Sequence, residues 1–258
     1  MTNSALKLPK SLVRILLMGH GLSGLWNILK WYFNTIRNYK YDPYYVFDWL
    51  FSKNINFENK IVFFVAGSHS KYDLFNENYK NKLPEIISLA KENGYEIGYH
   101  PSYFASTDEV LFEKELLYLE SINKEKIKWI RSHFLRYDIK KTSLLFEKYM
   151  MKYDSTFGSN DMIGFRCGTG FPFFLYDFEN EKKSILKEIP LVFMDSSVYY
   201  FMCQNNPKCF VEVLHDFLEK NKYNTHITFN FHNSTFDKSL KDRAMLKSEY
   251  LKLLEDIG

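Results

Sequence analysis

Short apolar segments of strand length recur along the chain, with helix-like segments between them. The strand-like segments are residues 61–66, 96–99, 128–130, 190–194 and 226–231. The segments with apolar residues at helical spacing are residues 44–52, 83–93, 107–121 and 139–151. A strand, a helix and a second strand in succession favour parallel pairing within one sheet. The pattern therefore predicts an α/β fold.

Capping residues indicate where these helices begin and end. Asp42 followed by Pro43 predicts an N-cap and a first-turn proline for the helix at 44–52. Thr107 is the predicted cap of the helix at 107–121, and Gly94 is predicted to close the helix at 83–93.

Residues 12–33 are the candidate for a targeting or membrane segment. Polar side chains interrupt it, namely Arg14, His20, Asn27 and Lys30, and it has no small-residue cleavage site. This composition predicts an amphipathic helix rather than a membrane span. We expect residues 1–41 to form a helical segment packed on one domain comprising residues 42–258. Peripheral contact of residues 12–33 with a membrane surface is the alternative use of this helix.

Composition limits the class of protein. The chain has 258 residues, of which 46% are hydrophobic, so it is long enough to bury one large core. A net charge of +3, from 34 basic against 31 acidic residues, is too balanced for nucleic-acid binding. The three cysteines, Cys167, Cys203 and Cys209, cannot all pair within the chain and lack zinc-site spacing. We therefore expect a reducing, cytoplasmic setting.

Three histidines follow predicted strands. His100 follows the strand at 96–99, His133 follows the strand at 128–130, and His232 follows the strand at 226–231. The carboxyl ends of parallel strands are where α/β proteins place functional groups. Two strand-end imidazoles can hold a divalent metal with an open position, which makes His100 and His133 candidate ligands. The alternative, that each bonds a loop carbonyl, has equal weight on this evidence.

Arginine and aspartate side chains lie near these segments. Arg131 and Arg136 flank His133, and Arg166 lies among the glycines of residues 164–170. A guanidinium can hold a carboxylate, although a surface ion pair is the better interpretation for Arg136. Asp154 and Asp195 each precede small hydroxyl residues. Each of these aspartates either orients a histidine or arginine or forms an Asx-turn, and the two interpretations are evenly matched.

Common catalytic motifs are absent from the sequence. It contains no GxSxG elbow, which removes the usual evidence for covalent acyl transfer. It also lacks the GxxxxGK[ST] pattern of phosphate-binding loops. Metal-assisted hydrolysis is the kind of catalysis that these absences leave open.

Six segments together resemble the polysaccharide deacetylases related to carbohydrate esterase family four. They are GYEIGYHPSY (94–103), WIRSHFLRY (129–137), YDSTFG (153–158), GFRCGTGFPF (164–173), EIPLVFMD (188–195) and FHNS (231–234). The resemblance spans residues 42–234 and implies a distorted parallel (β/α) barrel. It also implies a divalent metal, with zinc as the expected ion, that polarises an N-acetyl carbonyl and activates water.

The resemblance assigns individual roles. His100 matches the first histidine of the family's second motif, but Phe104 stands where the second histidine is expected, so we transfer that ligand role to His133. Arg131 matches the arginine that orients the catalytic base. Asp195 is similar to the acid that supports the catalytic histidine, and His232 resembles that histidine, which acts as general acid.

The family's first motif, a strand ending in the metal-binding and base aspartates, has no counterpart in residues 1–258. We expect either a start upstream of Met1 or a member that has lost this strand and its catalysis.

The resemblance leads to one main hypothesis about function and two alternatives. The main hypothesis is a deacetylase of an N-acetylated sugar, glycan or nucleotide-sugar in surface polysaccharide biosynthesis, such as that of O-antigen or capsule, with Arg166 and Asp154 binding substrate. A non-catalytic glycan-binding or scaffolding protein on the same fold is the first alternative. A phosphate-ester enzyme using Arg131 and Arg166 is the second, weaker alternative.

Overall fold

A computed structural model of the chain describes residues 21–51, 57–73, 77–238 and 243–257. The chain divides into two compact units. The sheet unit comprises residues 57–75 and 90–231, and the terminal unit comprises residues 1–56, 76–89 and 232–258. The predicted division into residues 1–41 and 42–258 stays a prediction.

Within the described residues, the strands form one six-stranded sheet and one two-stranded sheet. In chain order they are β1 (Ile61–Val65), β2 (Glu96–His100), β3 (Trp129–Ile130), β4 (Tyr153–Asp154), β5 (Phe173–Asp177), β6 (Lys182–Glu188), β7 (Phe193–Met194) and β8 (Phe229–Asn230). The larger sheet has the order β1-β2-β3-β4-β6-β5, and all its neighbours pair in parallel except the β5–β6 hairpin. β7 and β8 form a separate parallel pair.

The helices vary in length and regularity. The α-helices are α1 (Gly21–Arg37), α2 (Phe47–Phe51), α3 (Leu83–Glu92), α4 (Glu109–Asn123), α5 (Thr142–Lys148), α6 (Pro207–Lys220) and α7 (Arg243–Ile257). Short 3₁₀ helices cover Tyr39–Tyr41, Glu77–Lys82, His133–Leu135 and Asn233–Phe236, and a π-helix covers Ser197–Met202.

Strand β1 of the larger sheet forms because β-branched and aromatic residues fill it. β1 is IVFFV, and β2 pairs with it in register from Glu96 to His100. Gly98 in β2 is required by packing, since a Cβ there would lie 2.5 Å from the Phe63 ring. The absence of a side chain therefore lets the Phe63 ring cross the neighbouring strand.

Helix α4 packs against the larger sheet through one apolar face. Phe112, Leu116 and Leu119 follow helical spacing and are buried. The Tyr99 hydroxyl of β2 donates to Glu115 Oε2 of this helix at 2.9 Å. The helix begins at a cap made by Asp108, whose side chain accepts from Leu111 N–H, so the predicted Thr107 cap is wrong by one residue.

In the terminal unit, Asp42 is a buried anchor rather than a helix cap. Its Oδ2 accepts from the Tyr79 hydroxyl at 2.9 Å, and its Oδ1 accepts from Tyr44 N–H at 2.8 Å. This Asx-type turn delays α2 until Phe47, so the predicted helix start at Asp42 is wrong. The Trp49 ring of α2 packs edge-on against Phe236 at 5.2 Å.

Most predicted elements of the α/β pattern are confirmed. The five predicted strands correspond to β1, β2, β3, β7 and β8, although the last is shorter than predicted. Strands β4, β5 and β6 and helices α6 and α7 were not predicted. Of the predicted helix at 12–33, residues 12–20 lie outside the described residues, and α1 covers the remainder. Among the described helices, none is long and apolar enough to cross a membrane.

Cys203 and Cys209 form a disulfide, with their Cα atoms 5.5 Å apart, whereas Cys167 is a half-buried free thiol. The sequence spacing did not predict this pair. Because disulfides persist mainly in oxidising compartments, the bond does not favour the predicted cytoplasmic setting, which stays a prediction.

Candidate functional site

The carboxyl ends of β1, β2 and β3 bring polar side chains to one edge of the larger sheet. β1 and β2 are in register at Val65 and His100, and β3 pairs with β2 in turn. His133 follows β3, and Asp73 lies in the loop after β1. The rings of His100 and His133 meet edge to face, with their centroids 5.0 Å apart. The structure thus brings together the two histidines predicted to be metal ligands.

Hydrogen bonds fix the protonation pattern of both imidazoles. His100 Nδ1 lies 2.6 Å from the carbonyl oxygen of Arg131, which can only accept, so Nδ1 carries the proton. His133 Nδ1 lies 3.2 Å from Asp73 Oδ1. When each Nδ1 donates to oxygen, the neutral ring keeps its lone pair on Nε2. This is the arrangement in which proteins orient metal-ligating histidines.

Asp73 is held as a carboxylate by several donors. Burial alone would raise its pKa, but hydrogen bonds from Tyr103 N–H, the Ser70 hydroxyl, His69 N–H and His133 outweigh burial. The pKa of Asp73 therefore lies below its ordinary value of 3.8. At neutral pH its Oδ1 is an acceptor for His133 Nδ1–H. Sequence reasoning missed this residue, since it lies in a loop remote in sequence from His133.

A second imidazole–carboxylate contact anchors the start of the same loop. His69 Nε2 lies 3.2 Å from Glu115 Oε1, and that glutamate is buried on α4. Gly67 is necessary here because a Cβ would lie 2.3 Å from the same oxygen. The loop is therefore held at His69 as well as at Asp73.

Arg131 is buried and connects three strands. Its Nε donates to Ser155 O at 2.9 Å, its Nη2 donates to Ser155 Oγ at 2.8 Å, and its Nη1 donates to Asn230 Oδ1 at 2.7 Å. The guanidinium also lies over the Phe63 ring at 4.5 Å. Burial lowers the pKa of Arg131 to about 10, and nearby Glu188 and Asp154 oppose this shift, so the side chain stays charged at neutral pH. Its predicted partner, a base carboxylate, is not among these hydrogen bonds.

Asp154 does not join the histidines. It pairs in register with Ile130 and with Glu188, whereas His100 and Arg131 occupy positions one residue later along their strands. Successive strand side chains point to opposite faces, so Asp154 and Glu188 point away from the face that carries His100. Both carboxyl groups are fully buried. Sequence reasoning missed Glu188 altogether.

Burial raises the pKa of both carboxyl groups in the Asp154–Glu188 pair. Thr156 Oγ1 donates to Asp154 Oδ1, and Phe157 N–H donates to Glu188 Oε1. The other two oxygens, Asp154 Oδ2 and Glu188 Oε2, are buried, and the two carboxyl groups can form a hydrogen bond with each other when one of them is protonated. Burial raises the pKa of Asp154 to about 7, and burial together with repulsion from Asp154 raises the pKa of Glu188 well above its ordinary value.

The remaining predicted site residues have separate surroundings. Arg166 Nη1 donates to Gly158 O at 2.6 Å, in a loop where Gly168 has a φ of 72°. Asp195 is fully buried, and its Oδ1 accepts from Ser196 N–H. His232 is the first residue of its segment of the terminal unit and precedes a 3₁₀ helix. The roles of these three residues stay predictions.

A metal ion would find part of its coordination shell here. The Nε2 atoms of His100 and His133 suit a divalent ion such as zinc, because each Nδ1 is already committed to oxygen. Within the described residues, however, no group of three His, Cys, Asp or Glu side chains is placed to hold a metal. The described residues therefore offer two candidate ligands to such an ion.

Comparisons with known proteins identify a fold rather than a family. No family model and no curated protein matches the chain. Among solved structures, the PuuE allantoinase has a TM-score of 0.50 at 17% identity, covering 89% of this chain and 66% of its own. The chain has the fold of that enzyme. With the mainly parallel sheet, this confirms the predicted α/β fold.

Two further solved structures are described as polysaccharide deacetylases. The protein from Mycobacterium smegmatis has a TM-score of 0.48 at 20% identity, covering 68% of this chain and 63% of its own. The protein from Pseudomonas aeruginosa PAO1 has a TM-score of 0.47 at 15% identity, covering 68% of this chain and 57% of its own. The chain therefore spans less than two thirds of the length of these structures.

Proposed function

We propose that the chain is a metal-dependent deacetylase of an N-acetylated sugar, in which His100 and His133 bind the ion through Nε2. The observation that carries this proposal is the pairing of both Nδ1 atoms with oxygen acceptors at adjacent strand ends. The resemblance of residues 94–103 and 129–137 to deacetylase motifs supports the same chemistry. A role in surface polysaccharide biosynthesis is the biological setting that this resemblance favours.

The bound ion would polarise the acetyl carbonyl and lower the pKa of a water molecule. Asp73 fixes the orientation of the His133 ring, and the Arg131 carbonyl does the same for His100. The Arg131 guanidinium holds Ser155 and Asn230 together. We assign Asp154 a supporting role on the opposite face instead of contact with substrate.

His232 and Asp195 complete the proposal as general acid and supporting carboxylate. Cleavage of an amide requires a proton for the departing amine, and a histidine titrates in the range that allows this near neutrality. Arg166 is the proposed substrate-binding cation, because the glycines around it allow a ligand to approach closely.

The metal site can be tested on the full chain by metal analysis after loading with zinc. We expect His100→Ala and His133→Ala each to weaken zinc binding by at least tenfold and to abolish acetate release from an N-acetylglucosamine trisaccharide. His215→Ala, which removes an exposed histidine on α6, is the matched control and should leave both measurements unchanged. Stoichiometric zinc in both site variants contradicts the ligand assignment.

A glycan-binding protein without hydrolysis is the second candidate. The absence of a three-residue ligand group among the described residues favours it. Binding of the same trisaccharide without acetate release, in protein loaded with zinc, would support this alternative over the enzyme.

A further inference from the structure

Four aromatic side chains form a cluster beside the histidine pair. The aromatic cluster consists of Tyr72 from the loop after β1, Tyr103 and Phe104 from the loop after β2, and Phe134 from the loop after β3. The Tyr72 and Tyr103 rings lie 4.4 Å apart, and Phe134 meets them edge-on at 6.0 and 5.8 Å. Three separate loops therefore converge on one aromatic surface.

The aromatic cluster is exposed instead of filling the core. Tyr72, Phe104 and Phe134 are 40%, 45% and 50% exposed. Single exposed aromatic residues are ordinary, but a contiguous group in contact with a polar site indicates ligand binding. Because the exposed faces remain available, a flat apolar ligand face can be buried here.

The aromatic cluster is directly continuous with the proposed metal ligands. The Phe134 ring lies 4.6 Å from the His133 ring. Tyr103 N–H donates to Asp73 Oδ1 at 2.7 Å, and the same oxygen lies 3.2 Å from His133 Nδ1. A sugar ring on the cluster would therefore place its substituents toward the two histidines.

Backbone strain at Phe134 supports a functional role. Phe134 has φ 55° and ψ 22°, and the next residue, Leu135, has φ 53°. Non-glycine residues seldom adopt this left-handed conformation, and strain of this kind concentrates at functional sites. The consequence here is an aromatic side chain exposed beside His133 instead of packed into the core.

Cationic side chains hold the aromatic cluster and place donors at its rim. The Arg136 guanidinium lies 4.0 Å from the Tyr103 ring centroid and donates to Tyr103 O. Lys71 Nζ lies 5.1 Å from the Tyr72 ring centroid. Apolar faces bordered by hydroxyl, ammonium and guanidinium groups suit a ligand that has one C–H-rich face and many hydroxyl groups.

We propose that the aromatic cluster binds the pyranose ring of the N-acetylated sugar and places its acetamido group at His100 and His133. The weakly positive C–H face of a pyranose meets the negative face of an aromatic ring, while its hydroxyl groups reach the rim. This proposal rests on the proposed deacetylase function for the identity of the sugar. Its own content, stacking on Tyr72 and Phe134, is independent of catalysis.

The test measures binding, not turnover. Isothermal titration of the full chain with trisaccharides of N-acetylglucosamine, N-acetylgalactosamine and N-acetylmannosamine gives an affinity for each. We expect Phe134→Ala and Tyr72→Ala each to weaken binding of the best of these by about tenfold, as loss of one stacked ring does elsewhere. Phe134→Tyr should restore it, because an aromatic face returns. Phe178→Ala is the matched control, since Phe178 is 70% exposed beyond β5.

Each outcome bears on the proposal. Unchanged affinity in both alanine variants, or no binding of any trisaccharide by the wild type, overturns it. Equal loss in Phe178→Ala also overturns it, because the effect is then not local. The zinc content of the same variants separates the proposal that the aromatic cluster binds sugar from the proposal that the chain is a metal-dependent deacetylase. Weakened sugar binding with zinc retained supports the aromatic cluster, even if no acetate is ever released.

Discussion

Because the Asp154–Glu188 pair is buried, we expect the stability of the fold to depend on pH. One substitution should reduce that dependence. Glu188→Gln keeps the shape of the side chain and removes one titrating group. The amide oxygen can still accept from Phe157 N–H, and its NH₂ group would donate to Asp154 Oδ2. In the wild type a hydrogen bond between the two side chains requires that one carboxyl group be protonated, whereas the variant keeps it at every pH.

The sign and magnitude follow from proton linkage. A carboxyl group whose pKa is raised in the folded state stabilises that state below its unfolded pKa, and this stabilisation is lost as pH rises through the folded pKa. The folded pKa of Asp154 is about 7 and that of Glu188 is well above its ordinary value of 4.5. For each proton held only by the folded state, the free energy of unfolding falls by about 1.4 kcal/mol with every unit by which the pH rises. Glu188→Gln removes one of the two groups that can hold such a proton.

We expect the unfolding free energy of Glu188→Gln to rise relative to the wild type between pH 5 and pH 7, by at most about 1.4 kcal/mol for each pH unit. Urea denaturation at several pH values, followed by tryptophan fluorescence, measures this difference. Glu179→Gln removes the same charge from an exposed turn and is the control. A constant difference between Glu188→Gln and wild type across this range would show that Glu188 is ionised in the folded protein.

Two further predictions concern the sheet unit. Asp73→Asn should lower the free energy of unfolding by about 2 kcal/mol at pH 7, because an amide cannot accept from all the donors around Asp73. Since the pKa of Asp73 is lowered in the folded protein, this loss should shrink as pH falls below 3.8. Urea denaturation at pH 7 and at pH 3 measures both effects. Replacing Cys203 and Cys209 by Ser should lower the free energy of unfolding by about 2 kcal/mol, as expected for a short closed loop; thiol titration of the denatured wild type should find one reactive thiol before reduction and three after it.

The strand-end histidines were predictable because their positions follow from local pattern. A short apolar run ending in a polar residue places that residue at the carboxyl edge of a parallel sheet, and register then aligns neighbouring strands. His100 and His133 needed no long-range information beyond this rule. Asp73 did need long-range information, because its approach to His133 depends on how the loop after β1 folds back.

The β5–β6 hairpin was missed for a physical reason. The inward positions of β6 are Ser184, Leu186 and Glu188, so two of three buried residues are polar. Hydrophobic alternation is therefore absent from the sequence, although the strand alternates in burial. The polar pair Asp154–Glu188 becomes intelligible only when β4 and β6 are aligned side by side.

The three loops at the sheet edge repeat one arrangement, which would separate the proposed chemistry from the proposed sugar recognition. In each loop an imidazole comes first and an aromatic ring follows, as in His69 to Tyr72, His100 to Tyr103, and His133 to Phe134. Loops leave a parallel sheet outward, so the earlier residue lies closer to the sheet and the later one closer to the rim. Substitutions at the rim should therefore change sugar affinity without changing metal content, whereas substitutions at His100 or His133 should change both metal content and catalysis.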